Sequence, residues 1–110
     1  MPECKNVTKL ILPAVRVAVF EVLIAKQGYT QNQIADILGI AQAAVSKYSQ
    51  GIYSDEILQV KNYIIKNNLA DKIISAIAEG KNGNDINTYI EELCGKLALE
   101  KNIEVSNISS

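Results

Sequence analysis

The chain has 110 residues, 48% hydrophobic and 21% charged, with two cysteines, no histidine and no tryptophan. That length suits about one small domain with its own core, and the missing histidine excludes Cys/His zinc sites. The formal net charge of −1 gives no whole-chain sign of a polyanion binder.

The first predicted element is a helix from Pro13 to about Gln27. Pro13 suits a first turn, and Gly28 suits the position just past a helix end. The segment "PAVRVAVFEVLIAKQ" is apolar nearly all the way round. Such a helix is either central in the core or shared with a partner chain. Thr30 is a good N-cap for "QNQIADIL", which places Ile34, Ile37 and Leu38 on one face, and Gly39 ends it. "AQAAVSKYSQ" is a second short helix, with "GIYS" as the turn after it. Ser54 caps a helix that runs to about Lys66, with Asp55 and Glu56 in its first turn and Ile57, Val60 and Ile64 inward. Asn68 opens another helix, with Leu69, Ile73, Ile74 and Ile77 inward and Gly80 at its end. "GKNGN" is a loop. Asn84 caps a last helix from Asp85 to about Lys101, with Ile86, Ile90, Leu93, Cys94 and Leu97 on one face. The tail 102–110 is polar and expected to fray. No strand or repeat stands out, so the expected class is all-α with five to six helices.

Charge is uneven along this order. Up to Tyr53 there are five Lys/Arg against three acids, and beyond it six Lys against nine acids. The first half is therefore the better partner for phosphate. Cys4 and Cys94 form no Cys-x-x-Cys unit. Sequence alone leaves a disulfide between them open, beside the plainer reading of one terminal thiol and one buried small hydrophobe. The start "MPECKNVTK" lacks the apolar run of a secretory signal. "LILPAVRVAVF" is broken by Pro13 and Arg16 and is too short to span a bilayer. A cytoplasmic location is expected. No constellation of carboxylate, Lys, Tyr or Cys suggests an enzyme, and no cofactor or metal is expected.

Residues 31–50, "QNQIADILGIAQAAVSKYSQ", form one unit. Two short helices crossing steeply need a small residue at the close approach, and Ala35 supplies it. They need a connection that tolerates positive φ, and Gly39 supplies it. They need inner apolar faces, and Ile34, Leu38, Ile40, Val45 and Tyr48 supply them. The second helix then turns Gln42, Ala43, Ser46, Lys47 and Gln50 to solvent. This face is short-chained and rich in hydrogen-bonding groups, which suits a major groove about 12 Å wide. Gln42 lies at the end that reaches base edges, where a carboxamide pairs with adenine N6 and N7. Ala43 can lie on a thymine methyl, Ser46 can donate or accept, and Lys47 can take phosphate or guanine.

"TQNQIADILGIAQAAVSKYSQG" resembles the helix-turn-helix of the lambda-repressor-like DNA-binding domains, most closely in their archaeal transcription regulators. "LPAVRVAVFEVL" is similar to their first helix, which commonly begins Leu-Pro-x-x-Arg. The resemblance covers about 12–53. It implies that Gln31 touches a phosphate and braces Gln42, and that Gln42 pairs with adenine. Ala43, Ser46 and Lys47 match the other base-facing positions, and Gln50 matches a backbone-contacting one. Arg16 is open between a phosphate contact and an ion pair, for instance with Asp36. Two departures stand out. Ala41 occupies the N-cap where the family has Ser or Thr. Cys94 has Leu97 three residues on, where some archaeal relatives carry a second cysteine, so a metal or iron–sulfur sensor is not expected.

The expected organisation is a DNA-binding region at 1–53, core-completing and dimerising helices at 54–101, and the tail. The expected function is sequence-specific binding of double-stranded DNA by a homodimer, as a transcription regulator. The alternative is a helix-turn-helix protein-interaction module of antitoxin or adaptor type, which the near-neutral charge keeps open.

Overall fold

The computed structural model describes the backbone of residues 2–81 and 83–109 and the side chains of residues 10–26, 28–81 and 83–99. Its helices are α1 (Pro2–Val22), which continues into a π-helical turn (Leu23–Gln27), α2 (Gln31–Leu38), α3 (Gln42–Ser49), α4 (Asp55–Lys66), α5 (Asp71–Ala78) and α6 (Gly83–Ser109). Among the described residues there is no strand, so the class is all-α, as the periodicity predicts. None of the helices in the described residues is long and apolar enough to cross a membrane.

α1 is central. Val17, Ala18 and Val19 are consecutive and each 0% exposed. Successive helical residues point about 100° apart, so their joint burial needs walls on more than one side. α4 and α6 provide most of those walls, and α3 and α5 add to them. Of the two roles open to an all-round apolar helix, this one takes the core.

α1 starts at Pro2, eleven residues before the expected start at Pro13. Proline inside a helix removes one hydrogen bond and costs about 3 kcal/mol. Here Ile11, Ala14 and Val15 flank it and are at most 1% exposed. Burying a branched aliphatic side chain gains roughly 1.5–3 kcal/mol, which carries the helix through the defect. The far end also differs. The last turn widens to π geometry, and the Gly28 N–H closes it on the Leu23 carbonyl at φ 70°.

The short helices end alike. At the close of α2, the Gly39 N–H bonds the Asp36 carbonyl and the Ile40 N–H bonds the Ala35 carbonyl, at 3.3 and 3.1 Å. This reciprocal closure needs a left-handed residue, and Gly39 has φ 67°. α3 and α5 close the same way through the residues after Tyr48 and Ile77. α4 does so with Asn68 at φ 55°, whose N–H bonds Ile65 while the Leu69 N–H bonds Ile64. Asn68 therefore ends α4 and does not open the next helix, which starts at Asp71. Asn carries this conformation better than most non-glycine residues.

α6 begins at Gly83, so Asn84 is not its cap; the Asn84 carbonyl instead accepts from the Thr88 hydroxyl at 2.9 Å. The helix continues to Ser109, past the expected end at Lys101. No Pro or Gly between 102 and 109 breaks it.

One charge is buried among these contacts. Lys61 of α4 is 7% exposed. Its Nζ lies 3.0 Å from Oε2 and 3.2 Å from Oε1 of Glu21 on α1. The Glu21 side chain keeps 39% of its surface in solvent, against 8% for Lys61, so the two ends of the pair are unequal. Glu21→Ala strands an ammonium in the core and is expected to cost about 3 kcal/mol. Lys61→Met fills similar volume while Glu21 turns to water, and is expected to cost less than about 1 kcal/mol. Urea unfolding of both variants checks the order.

Candidate nucleic-acid interface

α2 starts on a two-way cap. The Gln33 N–H bonds Thr30 Oγ1 at 3.2 Å, and the Thr30 N–H bonds Gln33 Oε1 at 2.8 Å. Thr30 is the cap that its residue type predicts. The partner role of Gln33 was not foreseen, although the Thr-x-x-Gln spacing signals it. Gln31 is the first residue of α2 and is half-buried.

α3 is held from behind. Val45 is 0% exposed. Half-buried Tyr48 meets Phe20 of α1 edge-on, with ring centroids 6.2 Å apart and planes at 61°. Ile34, Ala35 and Leu38 of α2 complete that inner surface, each at most 6% exposed. Ile40 packs on it from the connection. All the positions that the two-helix pattern requires are therefore filled as the sequence predicts.

The front of α3 is free. Gln42, Ala43, Lys47 and Gln50 are exposed and Ser46 is half-buried. Their spacing puts them along one side of the helix. The face carries one charge, on Lys47, and no acid. Ser46 and Gln50 are not independent: Gln50 Nε2 donates to Ser46 Oγ at 3.1 Å. The i, i+4 spacing was the available signal for that pair. Gln31 stands apart, on α2. Among the described residues no hydrogen bond joins it to Gln42. The brace that the resemblance implies is not made among the described residues.

The N-terminus of α3 lacks a side-chain cap. Ala41 holds the extended N-cap conformation, φ −68° and ψ 144°, with no oxygen to offer. The Ala44 N–H bonds the Ala41 carbonyl at 3.0 Å, which leaves the Gln42 and Ala43 N–H groups as the ones a side-chain cap would serve.

Arg16 makes no ion pair with Asp36 among the described residues. It lies half-buried on α1, close enough to Cys94 of α6 to act on its thiol. Burial pushes the Cys94 pKa up, Arg16 pulls it down, and Glu91 pushes it up. Cys94 is free; the Cys4 side chain, and with it the pairing left open by the sequence, lies outside the described residues.

The chain matches no family model, no characterised relative and no solved structure. The site is therefore defined by its own geometry. Ala41→Ser supplies the missing acceptor and is expected to stabilise the protein by about 1 kcal/mol in chemical unfolding. Slower amide exchange at Ala43 and Ala44 localises the gain.

Proposed function

We propose that this chain binds double-stranded DNA sequence-specifically, as a transcription regulator with a helix-turn-helix of the lambda-repressor-like kind. Helix α3 enters the major groove. The observation that carries the reading is the division of α3 into two faces. Val45 and Tyr48 anchor one to the core, and Gln42, Ala43, Ser46, Lys47 and Gln50 leave the other short, uncharged but for one lysine, and open.

Each residue has a role. Gln42, at the N-terminal end, pairs with an adenine edge, and Ala43 lies on a thymine methyl. Ser46 and Gln50 act as a coupled pair, with Gln50 toward the sugar–phosphate backbone. Lys47 takes a phosphate or a guanine. Gln31 takes a phosphate from the start of α2. The uncapped first turn of α3 offers further N–H donors to anionic oxygen. One such module makes few contacts, so a symmetric dimer reading two half-sites about one helical turn apart is the natural assembly. The acid-rich half after Tyr53 stays off DNA.

Binding to random duplex DNA is expected to weaken steeply as salt rises. With a selected site, Gln42→Ala is expected to cost about 1–3 kcal/mol and relax the base preference at one position. Lys47→Ala is expected to weaken every sequence alike and to lower the salt slope by about 1 if it grips phosphate. Absence of any binding at low salt would instead favour a protein-interaction module.

A further inference from the structure

A groove of about 560 Å³ opens behind the two short helices. Its apolar lining includes Phe20, Ile64, Ile65 and Ala70. The π-helical turn contributes Ile24 and Ala25, and the last turn of α3 contributes Tyr48 and Ser49. The size lies within the range of about 300–1,000 Å³ typical of small-molecule sites. π-turns recur at such sites, because the extra residue pushes the backbone out of helical register.

The lining is close to neutral. Glu21 faces the groove, but both its oxygens are held by the buried Lys61 ammonium. Asp71 and Lys26 add one charge of each sign. The uncharged polar groups are Gln31, Ser49 and Asn68. The half-buried Gln31 carboxamide has no partner among the described residues, so it is free to donate and accept. An ion would find little net attraction here, whereas an apolar body with a hydrogen-bonding group would find both surfaces matched.

The apolar area is also confined. Of the exposed large hydrophobics Ile24, Ile52, Leu58, Tyr63 and Leu99, only Ile24 lines the groove. A standard protein partner covers about 800 Å² of surface per side, well beyond a cleft of this size.

We infer that the groove is a binding site for a small, uncharged, mainly apolar molecule that carries a hydrogen-bonding group for Gln31. Such a ligand touches Tyr48, which anchors α3, and Gln31, which is assigned to a phosphate. Control of DNA binding by this ligand rests on the DNA reading; the site itself does not.

The test is fluorescence titration of the full chain, without DNA, with N-phenyl-1-naphthylamine, an uncharged aromatic with one N–H. Saturable binding of one probe per chain is expected. Ala25→Trp and Ser49→Trp fill the groove from exposed lining positions on two different helices. Each is expected to weaken the probe by about tenfold or more with helicity and Tm retained. Ile52→Ser, at an exposed residue outside the groove lining, is expected to change nothing. The anionic 1-anilinonaphthalene-8-sulfonate is expected to bind more weakly. Non-saturable binding, insensitivity to both tryptophans, loss of binding in Ile52→Ser, or stronger binding of the anion overturns the proposal. So does a dimer by light scattering that displaces the probe as protein concentration rises, since the groove then belongs to a second copy. Because DNA is absent, the result decides the groove whatever becomes of the DNA reading.

Discussion

Everything in this molecule is arranged around a helix that cannot face water. Ala14, Val15, Val17, Ala18 and Val19 of α1 are all fully buried. The neighbouring helices need only one apolar stripe each, because α1 is there to receive it. Val45 of α3, Ile64 of α4 and Ile73 of α5 are at most 1% exposed for this reason. Of the described polar side chains on α1, Glu21 is answered by Lys61 from α4. An aliphatic core of this kind gains its stability from area and close packing, so each fully buried Ile or Val carries a sizeable share of a small net free energy.

Around that hub, the two short helices are firm at the back and open in front. The box at Thr30 fixes where α2 begins, and the left-handed closure at Gly39 fixes where it ends. Tyr48 and Val45 fix which way α3 faces. The front of α3 is then presented with little freedom except at its uncapped first turn. A surface of Gln, Ala and Ser gains little from long-range attraction. On the proposed reading, discrimination would rest on donors and acceptors that meet base edges at short range, which demands a fixed backbone.

Much of this was legible in the residues. The apolar positions at Ile34, Leu38, Val45, Ile64, Ile73, Ile90 and Leu97 follow helical spacing, and each is buried. The caps at Thr30 and Ser54 follow from side-chain chemistry, and each accepts the bond expected of it. Local signals misled where tertiary burial outweighed them. Pro13 reads as a start, but the packed residues beside it keep the helix going. Asn68 reads as a cap, but its backbone closes the helix before it. The widened turn at Leu23–Gln27 and the groove beside it left no mark in the sequence, because both arise from how distant helices meet. For the candidate site, the face of α3 was readable from spacing alone. The Ser46–Gln50 bond and the unmade Gln31–Gln42 contact depend on rotamers that spacing does not specify.

The repeated closure has an evolutionary corollary. α2 and α3 are eight residues each, and both stop on the same backbone device. One residue inserted into α2 would carry that device along with it and swing everything beyond by about 100° and 1.5 Å. Tyr48 would leave Phe20, and the front of α3 would turn away. Asn32 and Asp36, the exposed side chains of α2 outside its cap, are therefore free to drift in identity while the number of residues is locked. Lineages descended from this chain should vary there by replacement and almost never by gain or loss of a residue.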